Sequence, residues 1–417
     1  MKFSKFGRAT IATVLSLGVA AAFTGCGNHD TIDYVYVTNS KNNPGQIDVY
    51  LVRANSGQLV PIPDSPYPTG GRNPVGLVTS PNSPYLYVIN HDENTIVEFG
   101  IGTDAKLYPQ HTYNTPGTFP NAIAINTAGT FLFVTDTYQP QYTAANPGPG
   151  ALVVYPINAD GSLGTPVADG NLSYYPLSVG ETNVLNPTAV NVLSLAPANS
   201  TTAAGDFLYV VSQNSTTGLG DISAFSVASS GALTPVPCSS STSVCDSTGS
   251  GNFSAGTAPT AIASTPLGRY VYVTDSARNQ LLSFAVQSSG QITPQMDSPA
   301  STDVFPDAVT VDPTGTYVYV ANYTANDISA YTINSTGVSP IGSYGTGTGP
   351  TCVFIEPALG RYVYTTNFLD NTVSGLNIDS SGGTLAPVQN TPFLAAGQPT
   401  CIAATVHGKF APITSTN

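Results

Sequence analysis

Tyr317-Val318-Tyr319-Val320-Ala321-Asn322 alternates rings with aliphatic side chains and stops on a short amide, and the chain carries seven copies of this run. The others are Tyr34-Val35-Tyr36-Val37, Tyr85-Leu86-Tyr87-Val88, Phe131-Leu132-Phe133-Val134, Phe207-Leu208-Tyr209-Val210, Tyr270-Val271-Tyr272-Val273 and Tyr362-Val363-Tyr364-Thr365. Aromatic and β-branched residues at period two read as a strand. Asn39, Asn90, Asp136, Asp275, Asn322 and Asn367 then stand where a small polar side chain bonds a turn.

Ahead of the runs lie a Pro, a small residue and an aliphatic, as in Pro120/Ala122/Ile123, Pro259/Ala261/Ile262 and Pro306/Ala308/Val309. Behind them come an alternating segment such as Asp327 to Tyr331 and, usually, a Gly-x-Leu/Ile strand ending in Pro, such as Gly290 to Pro294. Four short antiparallel strands, A to D, in a unit of about 45 to 50 residues predict a propeller blade. The first copy lacks strand A, and a spare one stands at the far end, Pro399-Thr400-Cys401-Ile402. The expected fold is therefore all-β: a seven-bladed β-propeller with four antiparallel strands per blade, over residues 33–410, closed by a C-terminal strand that completes the N-terminal blade. Residues 411–417 are left as a tail.

Composition agrees. The chain has 417 residues, 40 Gly and 34 Pro, with only 8% charged residues and a formal net charge of −13. Its acidity excludes nucleic acid as a partner, because phosphate binding needs a basic surface. The 41% hydrophobic content excludes a disordered chain.

Lys2, Lys5 and Arg8 precede an apolar run from Ile11 to Phe23, and Phe23-Thr24-Gly25-Cys26 follows. This reads as a signal peptide (1–25) with a bacterial lipobox, which makes Cys26 the lipidated residue and 26–32 a tether. The expected location is the cell envelope, with membrane lipid as one partner through Cys26. Disulfides persist in such a compartment. Cys238 and Cys245, close together in a Ser/Thr-rich segment, are the candidate pair. Cys352 and Cys401 occupy one position in neighbouring inner strands, where other blades have Ala or Gly. They read as small packing residues, with a bond stapling the closing strand as the alternative if their α-carbons lie within about 7 Å.

Insertions 137–150, 169–186, 213–220 and 237–257 all read as B-to-C or D-to-A connections, which share one face, over blades three to five. That face is the expected binding surface. Ligand-binding candidates are Asn121, Thr188, Thr260, Asp307, Thr351 and Thr400 at the starts of inner strands, with Tyr138 and Tyr142 in the first insertion. His91-Asp92-Glu93 reads as a solvated turn. No metal or cofactor motif is found.

Tyr36-Val37-Thr38-Asn39 resembles the YVTN-repeat surface propellers. The stretch from Gly349-Pro350-Thr351-Cys352 through Asn367-Phe368-Leu369-Asp370-Asn371 resembles the seven-bladed lactonase family, which includes 6-phosphogluconolactonase and the carboxymuconate cyclases. That resemblance implies Arg, His and Glu at places here held by Thr351, Cys352, Phe368 and Asn121, and an Asn-Arg-Gly turn where Asn322-Tyr323-Thr324 stands. Asp307 and Glu356 are the remaining ionisable candidates for acid-base chemistry on the inner strands. The expectation is an envelope propeller, non-catalytic or diverged, that binds a small ligand, a glycan or an envelope protein. The alternatives are an extracytoplasmic lactone hydrolase or cycloisomerase, and a surface-layer or adhesion component using Tyr138, Tyr142, Tyr174 and Tyr175.

Overall fold

The computed structural model describes residues 30–178, 184–195, 205–239, 245, 251–408 and 410–413. The signal peptide, Cys26 and most of the tether lie outside these residues. The described chain forms seven antiparallel sheets, each following the A-B-C-D order. In the first blade the inner strand is Pro399–Val406, paired with strand B, Thr31–Asn39, through Tyr36↔Ala403 and Val37↔Ile402. The C-terminal strand thus closes the ring. The propeller starts at Thr31, two residues earlier than expected, because Thr31 pairs with Arg53 and Ile32 is buried in the closing interface. At the other end Phe410 packs on the same interface and the Ile413 N–H donates to the Pro357 carbonyl at 2.9 Å, so the tail is docked as far as Ile413.

The repeated run builds the contacts between blades. Side chains on a strand alternate between its two faces. Tyr36, Tyr87, Phe133, Tyr209, Tyr272, Tyr319 and Tyr364, the second rings of the runs, are all fully buried. Each joins a cluster with aliphatic residues of the following blade: Tyr319 with Val363, Tyr272 with Val318 and Val320, Tyr364 with Val35 and Val37 of blade one. Seven such clusters fill the seven interfaces.

A hydrogen bond marks four of these interfaces. Tyr87, Tyr209, Tyr319 and Tyr364 donate their hydroxyls to the carbonyls of Gly161, Gly290, Gly383 and Gly57 in the next blade's C-to-D turn, at 2.6 to 3.0 Å. Gly57 and Gly290 have φ of 65° and 81°, and a Cβ there would lie 2.3 and 2.2 Å from the ring of Tyr362 or Phe207. Glycine supplies both the left-handed backbone and the space.

Two expected insertions differ in place or in length. In blade four, strand D runs Leu233–Pro235 and resumes at Phe253–Ser254, which pairs with Asp221 and Ile222 of strand C. The segment between, with its Cys238–Cys245 disulfide, therefore leaves from the middle of the outermost strand rather than from the D-to-A face. Segment 213–220 does join B to C, but half of it is strand: B ends at Asn214, C begins at Leu219, and only the turn 215–218 lies between. The 137–150 insertion does join B to C of blade three.

Candidate functional site

The inner strands begin with a shared distortion. In each blade the residue after the Pro is an extra one in the A–B ladder, a β-bulge. These residues are Val75, Asn121, Thr188, Thr260, Asp307, Thr351 and Thr400, one per blade around the axial channel. Their side chains hold the ring together. Thr400 Oγ1 donates to the Pro74 carbonyl of the next blade at 2.7 Å, Thr260 to Pro306 at 2.8 Å and Thr351 to Pro399 at 3.2 Å. Asn121 Nδ2 donates to the Pro187 carbonyl in the same way. Partners on strand B complete them: Thr38, Thr135, Thr274 and Thr366 lie 2.7 to 3.0 Å from Thr400, Asn121, Thr260 and Thr351. Thr188 bonds back to Val211 in its own blade at 3.3 Å. Four of the ligand-binding candidates are thus committed to links between blades.

Asp307 differs. An ionised carboxylate cannot donate to the next Pro carbonyl, and Asp307 makes no hydrogen bond to a described residue. Desolvation by burial pushes its carboxyl up to about 6.

Glu356 is not a channel residue. It is fully buried, and its oxygens accept the Leu359 and Arg361 N–H groups at 2.7 and 2.6 Å. It caps the A-to-B turn, as Asn126, Thr265 and Asp312 do in blades three, five and six. Beside it lies Asp33, also fully buried, with neither oxygen bonded to a donor. Burial, reinforced by Glu356, pushes the Asp33 carboxyl up to about 9.

The sign of the pH effect follows. Unfolded Asp33 releases its proton near 3.8 and folded Asp33 keeps it to about 9, so the folded state holds more protons in between and stability falls as pH rises through that window. We expect Asp33→Asn to gain roughly 1–3 kcal/mol on wild type between pH 5 and pH 8. Guanidinium midpoints at the two pH values check this, and parallel pH dependence of the two proteins would contradict it.

On the insertion face, His91 stacks on Phe119 with ring centres 4.8 Å apart and bonds Asp92, while Glu93 pairs with Arg72. Tyr138 meets Phe119 edge-on at 6.1 Å. Tyr142 covers Gly148 within its own loop. Tyr174 and Tyr175 are buried, because strand D of blade three folds them inward, so they are not the exposed rings an adhesion surface needs.

A cavity of about 1010 Å³ opens at the opposite end of the channel, where A strands end and B strands begin. Leu77, Val78, Ile125, Phe354, Ile402 and Phe410 supply apolar walls. Tyr34 and His407 supply a polar corner, their rings edge-on with centres 4.6 Å apart. Neither the Tyr34 hydroxyl nor a ring nitrogen of His407 is bonded to a described residue. Burial pushes the Tyr34 phenol up, so it stays a neutral donor. Among the described residues, no Lys, Arg, Asp or Glu lines the cavity.

His407 stands just past the end of the closing strand. In the repeat register Thr405, which pairs with Tyr34, takes the place of Asn126 and Glu356, whose N–H groups donate to the Phe131 and Tyr362 carbonyls. The closing strand runs on past that point to Val406, and the His407 N–H donates to the Ile32 carbonyl, so His407 stands two residues beyond the position that caps an A-to-B turn elsewhere.

The seven-bladed β-propeller lactonase family model matches residues 29–146 and 238–355. The chain belongs to this lactonase family. A candidate 6-phosphogluconolactonase from Bacteroides fragilis superposes with a TM-score of 0.68 at 16% identity, covering 91% of this chain and 99% of its own. The periplasmic gluconolactonase of Pseudomonas aeruginosa gives 0.65 at 16%, covering 92% and 100%. A protein from Lactobacillus plantarum gives 0.67 at 17%, covering 90% and 100%. At such identities the likeness is one of fold. No curated protein matched the chain. The side chains of Asn121, Thr351 and Cys352 are each bonded to the neighbouring blade.

Proposed function

We propose that this lactonase-family propeller is a non-catalytic binding module of the cell envelope that takes a compact, uncharged, largely apolar ligand with one hydrogen-bonding head. The observation that carries this reading is the cavity at the A-to-B face. Its volume and apolar walls suit a small molecule, and Tyr34 and His407 offer a donor and an acceptor to its head. The site is accordingly placed away from the insertion face, whose inner-strand hydroxyls and amide are mostly engaged. A phosphorylated or carboxylated sugar fits poorly, since among the described residues no Lys or Arg lines the cavity to meet its charge. Envelope location and lipid attachment at Cys26 rest on the N-terminal sequence. Labelling with a fatty-acid analogue, lost in Cys26→Ala, is the result expected of them.

Displacement of N-phenyl-1-naphthylamine by a panel of alkyl lactones and their open-chain hydroxy acids tests the binding reading. Neutral lactones should displace the probe, and His407→Ala or Tyr34→Ala should weaken them by about tenfold, the loss of roughly 1.4 kcal/mol. Asp307→Asn should leave them unchanged. Displacement insensitive to His407 and Tyr34 would overturn the site.

A second reading, lactone hydrolysis, has one observation in its favour: an unbonded imidazole beside a neutral phenol is a base and a donor in a single cavity. Turnover of the same lactones, lost in His407→Ala, would select it.

A further inference from the structure

Cys352 and Cys401 belong to inner strands Pro350–Ile355 and Pro399–Val406, in the blades on either side of the closing interface. Each follows the bulged residue of its strand, and the Cys352 thiol donates to Cys401 Sγ at 3.5 Å. Both thiols are free and half-buried on the innermost strands, Cys352 packed against the closing interface and Cys401 against the next one. Moving the sulfurs from 3.5 Å to bonding distance needs about 1.5 Å of side-chain motion. We propose that Cys352 and Cys401 form a redox-active dithiol site that exchanges with low-molecular-weight disulfides entering the axial channel, and that its oxidation staples the closing strand to blade seven.

The two sulfurs are not equivalent. The bond from Cys352 favours the thiolate at Cys401, and it pushes the Cys352 thiol up, with desolvation and the charge of Asp307 acting in the same direction. Cys401 is therefore the attacking sulfur. Its thiolate adds to one sulfur of the small disulfide, the sulfur–sulfur bond breaks, and one small thiolate leaves and takes a proton from water. Cys352 then gives up its proton, attacks Cys401 Sγ in the mixed disulfide and expels the second small thiolate. Two protein thiols are oxidised to one disulfide, and one small disulfide is reduced to two thiols.

The test uses the full chain with oxidised glutathione. A non-reducing digest should contain the Cys352 and Cys401 peptides joined, and the thermal midpoint should rise by about 5 °C, because the link spans the ring closure. Cys352→Ala should stop at a glutathione adduct on Cys401, and Cys401→Ala should react more slowly. Both variants should lose the rise in midpoint. They place at these positions the residue found at Ala122, Ala189 and Ala261, so both should fold. Adducts without the joined peptide, or thiols that stay unreacted with no change in midpoint, would overturn the proposal.

Discussion

A chain ending at Gln398 should fail to fold cooperatively. The strand it lacks, Pro399–Val406, pairs with Thr31–Asn39 along its length and carries buried Ile402, Ala403 and Ala404. It contributes to two interfaces, one holding Tyr364, Val35 and Val37, the other Tyr36, Leu86 and Val88. Without it strand B of blade one becomes an unpaired inner edge, and both clusters open to water. Burial of a large apolar side chain is worth about 1.5–3 kcal/mol, and the clusters contain many, so the loss exceeds the roughly 5–15 kcal/mol net stability of an ordinary domain. Scanning calorimetry should show no transition for the truncated chain, with the protein recovered as aggregate. A soluble truncated protein with a sharp transition would show that closure is not required.

The second large effect concerns the turn between strands C and D. Gly57→Ala should destabilise the protein by about 3 kcal/mol, combining the cost of a left-handed alanine with overpacking against Tyr362. Gly170 separates the two contributions. It has a similar φ of 60°, but a Cβ there meets nothing within 4 Å, so Gly170→Ala should cost only about 1 kcal/mol. Tyr364→Phe leaves the buried Gly57 carbonyl without its donor and should cost about 1–2 kcal/mol. Guanidinium midpoints of the three variants check the ranking, and equal losses at Gly57 and Gly170 would remove the ring contact from the explanation.

The aromatic runs made the blade count legible because one physical requirement, a ring facing the next blade at every interface, is met seven times with nearly the same residues. The spare strand at Pro399 was legible for the same reason. Strand D of blade four was not, since Leu233–Pro235 looks complete by itself and its continuation at Phe253–Ser254 is displaced by the disulfide segment. Around the channel, Asn121, Thr260, Thr351 and Thr400 read as ligand groups because they are polar and recur at one position. Their recurrence instead reflects a bond between blades made at four of the seven interfaces, which single-chain spacing does not reveal. Val75, Thr188 and Asp307 lack that bond, and Asp307, the one carboxylate among them, is the informative one. Glu356 and His407 could have been interpreted by aligning the repeats with one another, which puts the first on a turn cap and the second two residues past the corresponding position, Thr405.

The most direct test of where this propeller binds is a crystal structure of the protein saturated with the tightest-binding lactone of the panel. The ligand should lie in the A-to-B cavity with its polar head within hydrogen-bond reach of the Tyr34 hydroxyl or the His407 ring. Density instead at the channel mouth against Asp307, with the cavity empty, would contradict the assignment.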